Sequence, residues 1–120
     1  MMPVDIRSVW DLVQPLIEEA LHGFDDSAEA VYADCTEGRA FFWGCERGYV
    51  VLQPILTDIL VRAAVSIGPT DCIEAEEQEI LRLARGMGGK RVVFHTNRRG
   101  FARKMPSNWS KHHEVWTSEL

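Results

Sequence analysis

Apolar residues at Ile6, Val9, Trp10, Val13, Leu16, Ile17, Ala20 and Leu21 recur at helical spacing, which predicts a helix over residues 6–22. Pro15 falls inside that run and removes an intrahelical bond, so a kink or two shorter helices meeting there is expected. His22-Gly23 supplies the stop. A second helix is expected from about 27 to 36, with Asp26 and Glu29 at capping-box spacing and Val31, Cys35 and Tyr32 toward the core.

From residue 40 the period changes from 3.6 to 2. Ala40 to Cys45 reads as a strand, Glu46-Arg47-Gly48 as a hairpin turn, and Tyr49 to Gln53 as the returning strand. Pro54 predicts a bulge or a strand end, and Thr57-Asp58 a further turn. Residues 59–67 then alternate: Ile59, Val61, Ala63, Val65 and Ile67 share one face, and Leu60, Arg62, Ala64 and Ser66 the other. After Gly68-Pro69-Thr70, Asp71 caps a helix whose buried stripe is Ile73, Ile80, Ala84 and Met87. Glutamates crowd its start and Arg82 and Arg85 its end, the order that the helix dipole favours. Gly86 to Gly89 ends it. Residues 91–96 read as a strand, 100–105 as a short helix stopped before Pro106, and 112–120 as a last strand with Val115 and Trp116. Three antiparallel strands followed by a β-α-β crossover make a mixed α/β (α+β) sheet in a single domain, 1–120.

With 120 residues and 46% apolar content, the chain can bury a core without disulfide staples. No stretch approaches the ~20 apolar residues of a membrane span, and the first residues lack the layout of a signal peptide, so no membrane role is expected. Cys35, Cys45 and Cys72 include no C-x-x-C pair and read as reduced core thiols in a reducing compartment. His95, His112 and His113 form no metal-ligand pattern, and neighbouring strand residues point to opposite faces, so no metal is expected.

Charge adds a geography. Residues 90–113 carry +7 and no acid, which leaves −12 on the remainder of a chain whose net charge is −5. Arg98, Arg99, Arg103, Lys104 and Lys111, with Trp109 beside them, are the candidate surface for an anion or an acidic protein partner. The bland alternative is a solvated face that balances the acidic remainder. Nucleic acid is the less favoured partner, because no helix-turn-helix, zinc finger or RRM-type motif accompanies the charge.

The element order resembles the GNAT-type N-acetyltransferase fold. The likeness covers about residues 5–120. It rests on the hairpin strands 40–53 before the long strand 59–67, on the helix 72–88 with its glycine-rich end and the strand 91–96, and on Asn97 before a short helix and Trp109. The run Arg98-Arg99-Gly100-Phe101 through Trp109 is also similar to compact GNAT-like proteins of tailed bacteriophages and prophages, some of which are virion components. Such a resemblance implies an acetyl-CoA pyrophosphate loop with the pattern Arg/Gln-x-x-Gly-x-Gly/Ala ahead of the long helix, a carboxylate base near the long strand, and a tyrosine acid in the helix after the second parallel strand. Residues 68–77 lack the loop pattern; Pro69 removes a donor, and Asp71, Glu74, Glu76 and Glu77 place negative charge where a pyrophosphate would land. Asp58 is the only carboxylate near the strand and reads as a turn residue, and the position matching the tyrosine falls near Lys104. The expectation is therefore a non-catalytic GNAT-like phage protein with no cofactor, docking on another particle protein in the virion or acting in the cytoplasm of the infected host. The alternative is a divergent acetyl-CoA-dependent N-acetyltransferase.

Overall fold

The structure is a computed structural model and describes residues 1–95, 110–112 and 115–120. Its elements in chain order are β1 (Met2–Pro3), a 3-10 turn (Ile6–Val9), α1 (Trp10–Ala20), α2 (Ala28–Thr36), β2 (Phe41–Cys45), β3 (Gly48–Ile55), β4 (Asp58–Ser66), α3 (Cys72–Gly86), β5 (Arg91–His95), β6 (Ser110–His112) and β7 (Val115–Glu119). The described strands form one sheet in the order β1-β2-β3-β4-β5-β7-β6. Every neighbouring pair is antiparallel except β4 and β5, which run parallel on either side of the α3 crossover. The mixed sheet with its β-α-β crossover is as the periodicity predicts.

Two apolar layers flank the sheet. Ile73, Ile80, Leu81 and Ala84 of α3 pack on Val50, Leu52, Ile59, Val61, Val92 and Trp116. On the opposite face, Val13 and Ile17 of α1 and Val31 of α2 pack on Phe42, Val51, Ala63 and Val65. Burying each large branched side chain stabilises the fold by roughly 1.5–3 kcal/mol, so both layers are needed.

Several local expectations are corrected. The break in the first helix falls at Val9–Trp10, where the 3-10 turn meets α1, and Pro15 sits inside α1 on its solvent side. Ser27, not Asp26, caps α2: its Oγ accepts the Ala30 N–H at 3.1 Å, which leaves the Asp26 carboxylate free to face the sheet. Pro54 does not end β3, which continues to Ile55. The last pair between β2 and β3 is Phe41–Leu52, so Pro54 lies where β3 has no partner on that side and its missing N–H is not required. Asp58 opens β4 and is paired with Arg91 across to β5, rather than closing a turn. Ile67 lies beyond the end of β4 and is exposed rather than part of the buried face. The C-terminal strand is a pair, β6 and β7, and β1 at the other edge is a strand the periodicity does not reveal. Thr96, the expected helix 100–105 and His113 lie outside the described residues.

Leu56, at the tip of the β3–β4 hairpin, has φ 56° and is 99% exposed. The left-handed region costs a residue of this type roughly 1–2 kcal/mol, whereas asparagine tolerates it. Leu56→Asn is expected to raise stability by about 0.5–1 kcal/mol, read as a higher urea midpoint at unchanged slope. An unchanged or lower midpoint would contradict strain at this turn.

Candidate functional site

The site begins at a bulge. Val51 pairs with Ala63 but Leu52 pairs with Val61, so Arg62 is an extra residue on β4. The bulge switches layers: Ile59 and Val61 belong to the α3 side, Ala63 and Val65 to the α1–α2 side. The regular alternation read from 59–67 therefore hides a change of face in mid-strand. Among the described residues, pairing between β4 and β5 runs from Asp58–Arg91 to Val61–Phe94, next to the bulge. Beyond it a cleft of about 530 Å³ opens, bounded by β4, the end of α1, the α1–α2 connection, the start of α3 and Phe94.

Arg62 holds the cleft's wall in place. Its Nε and Nη2 donate to the two carboxylate oxygens of Asp26 at 2.9 and 2.8 Å, and Nη1 donates to Asp34 and, at 3.2 Å, to Gln53 Oε1. The side chain is only 10% exposed. Burial alone would raise the Asp26 pKa, but hydrogen bonds from Arg62 and from the Ser27 N–H outweigh it and hold the carboxyl below its usual range. Hydrogen bonds from Arg39 and Arg62 do the same for Asp34. The hydrogen bonds to Asp26 outweigh burial at Arg62 and keep it charged.

The start of α3 forms another boundary. Ser66 Oγ accepts the Cys72 N–H at 2.9 Å, and Asp71 Oδ1 accepts from the Ile73 and Glu74 N–H groups at 3.0 and 3.2 Å. The Ala75 N–H bonds the Asp71 carbonyl at 3.0 Å. The N–H groups of Cys72, Ile73 and Glu74, which the start of α3 leaves open, are thus satisfied from within the chain, and Ala75 makes the first intrahelical bond. Asp71 acts as the expected cap, and the partnership of Ser66 was not legible. Among the described residues that line the cleft, Glu19, Asp25, Asp26 and Asp71 bring four negative charges against the positive charge of Arg62, which is already paired.

Among the described residues, the carboxylate, tyrosine and cysteine candidates for acyl transfer lie apart. Asp58 sits at the opposite end of β4 from Ser66, and Arg91 binds it at 3.2 and 2.7 Å and holds its pKa down. Tyr32 packs against Trp10 and Tyr49 stacks on Phe42, and neither is among the described residues that line the cleft. All three cysteines are free thiols. Burial pushes Cys72 up to about 12 and Cys35 up to about 11, which suits packing rather than nucleophilic attack. Among the described residues no group of His, Cys, Asp or Glu is placed to hold a metal. Arg98, Arg99, Arg103, Lys104 and Trp109 lie outside the described residues, and Lys111 lies on β6 opposite Trp116. Sequence reading passed over Arg62, Glu19 and Asp25. The available signal was a lone arginine inside the apolar run Leu60-Val61-Arg62-Ala63-Ala64, with acids at 25, 26 and 34 to answer it.

No family model and no curated protein matches the sequence. Among solved structures, the chain is similar to the crystal structure of the PaiA N-acetyltransferase from Thermoplasma acidophilum in complex with coenzyme A. The TM-score is 0.59 at 9% sequence identity, over 97% of this chain and 93% of that one. The likeness spans both chains nearly whole, and what it establishes for this one is its architecture: a GNAT-like fold.

Proposed function

We propose that this chain keeps the N-acetyltransferase scaffold without acyl-CoA chemistry and works as a docking component, in or on the particle of a tailed bacteriophage or prophage. The observation that carries the first half is the occupied start of α3, where Ser66 and Asp71 take the N–H groups that an anionic cofactor would need. The acidic cleft adds to it. A pyrophosphate placed there meets the exposed carboxylates of Glu19 and Asp25, and at an effective dielectric near 20 two like charges ~6 Å apart repel by roughly 3 kcal/mol before screening. The phage setting rests on the resemblance of residues 98–109, and the basic residues Arg98, Arg99, Arg103, Lys104 and Lys111 with Trp109 are proposed as a surface for an acidic particle protein.

The second reading is a divergent acetyl-CoA-dependent N-acetyltransferase. The comparison taken alone favours it: the similar structure holds coenzyme A, and this chain has an open cleft beside β4. An assay with acetyl-CoA and a panel of primary amines separates the two by release of free thiol. The expected result is no release above the rate without protein, and protein-dependent release would establish the transferase. Mass spectrometry of purified particles tests the setting, and absence of the chain from particles at every assembly stage would remove it.

A further inference from the structure

We infer that Cys45 and Cys72 are a redox-sensitive pair, joined in a disulfide by exchange with a small-molecule disulfide and returned to free thiols by a reductant. The pair needs neither the docking role nor the cleft. The fold brings the two residues to one place. Cys45 ends β2 beside the 46–47 turn, and Cys72 opens α3 after the loop 67–71. The register carries Cys45 to Gly48 and Gly48 to Ser66, whose Oγ accepts the Cys72 N–H at 2.9 Å. The Cys45 side chain faces α3. Its thiol donates to Glu76 Oε1 at 3.7 Å, and Glu76 lies one turn after Cys72 on the same side of the helix. Arg47 fastens this contact: its Nη1 bonds the same oxygen at 2.8 Å, and its N–H donates to Cys45 Sγ at 3.4 Å. Burial pushes the Cys72 thiol up to about 12, and the neighbouring Cys45 thiol adds to that by charge and by a side-chain hydrogen bond.

The sheet selects the partner. Cys35 packs in the α1–α2 layer, on the opposite face from the layer that holds Cys72. Exposure sets the order of attack, because Cys72 is fully buried and Cys45 only half-buried. The Cys45 thiolate attacks one sulfur of the reagent, and the other half of the reagent leaves as a thiolate. Deprotonated Cys72 then attacks the Cys45 sulfur, the bond from Cys45 to the reagent breaks, and the second half leaves. Two protein thiols give up two electrons and two protons, and one reagent disulfide becomes two thiols. Cys72 ionises rarely, so the second step is slow, and its high local concentration lets it compete. The bridge fastens the end of β2 to the start of α3 and closes the segment 45–72 into a loop.

Mass spectrometry of the full chain after incubation with oxidised glutathione tests this. The expected product has lost two hydrogens, retains no glutathione and maps to a peptide joined through Cys45 and Cys72. Thiols counted after unfolding are expected to fall from three to one. Tm is expected to rise by roughly 5 °C or more, because the bridge restricts the unfolded chain, and dithiothreitol is expected to reverse the rise. Cys35→Ala is expected to leave the bridge unchanged, and Cys45→Ser to abolish it. A glutathione adduct that stops at Cys45, a bridge to Cys35, a bridge between two chains, a bridge that lowers Tm, or three thiols that stay reduced overturns the proposal. Each of these outcomes leaves the docking reading standing, since that reading falls only with acyl-CoA chemistry or with absence from particles.

Discussion

Arg62→Ala is expected to lower stability by about 3 kcal/mol, because removing one member of a buried ionic cluster leaves the others uncompensated. Arg62 is the cation shared by Asp26 and Asp34, and its side chain is 10% exposed. Without it, two carboxylates from the α1–α2 connection and from α2 face the sheet with no counter-charge from β4, although Arg39 still reaches Asp34. For a chain of this length that loss lowers Tm by roughly 10 °C. The triple variant Arg62→Met, Asp26→Asn, Asp34→Asn is expected to recover much of it, since it removes the stranded charges along with their partner. Urea unfolding followed by circular dichroism reads both. A single variant within 0.5 kcal/mol of wild type, on the order of an ordinary surface substitution, would contradict the clasp.

The pH dependence follows the same cluster. Asp26 and Asp34 titrate lower in the folded chain than carboxylates ordinarily do, so the folded state binds protons less readily than the unfolded one. The stability they contribute is complete above the ordinary carboxylate range, near pH 4, and is lost as the pH falls through their depressed folded values. The gap between wild type and Arg62→Ala is therefore expected to narrow below about pH 4. A gap that stays constant from pH 7 to pH 3 would show that Arg62 acts through packing alone.

Gly48→Ala is the second large effect, with an expected loss of about 3 kcal/mol or more. Gly48 pairs with Cys45 on β2 and with Ser66 on β4, so its backbone is fixed from both sides. A Cβ added there would sit 2.0 Å from the Val65 carbonyl oxygen and 3.1 Å from the Ser66 Cα. Both are backbone atoms, and relieving the clash means separating β3 from β4 at the residue whose hydroxyl caps α3. Gly38 is the control. Its φ is +80°, but nothing lies within 4 Å of an added Cβ, so Gly38→Ala is expected to cost only about 1 kcal/mol. If the two variants unfold at the same urea concentration, the close approach at Gly48 is not what makes it necessary.

Much of the architecture was legible because its signals are local. The apolar spacing of Val13 and Ile17, the alternation from Ile59 to Val65 and the Asp71 cap all report on neighbours within a few residues. The candidate site was less legible because it depends on what separate elements do to one another. The bulge at Arg62 keeps the odd-numbered positions buried while moving them from one layer to the other, so the pattern looks unbroken. Asp26 had the spacing of a cap, and only the fold shows that Ser27 takes that role while Asp26 reaches across 36 positions to Arg62. Pro54 reads as a strand breaker until β2 is seen to stop short of it. The acids crowding the start of α3 could be read in advance as hostile to a pyrophosphate; the Ser66 hydroxyl bonded to the Cys72 N–H could not.

The most direct test of a scaffold kept without its cofactor is a calorimetric titration of the full chain with acetyl-CoA. With Ser66 and Asp71 holding the helix start and the cleft lined by acids, no saturable binding is expected up to a ligand concentration of about 1 mM. One-to-one binding with a Kd in the micromolar range would contradict the proposal and make this chain an acyl-CoA-binding protein.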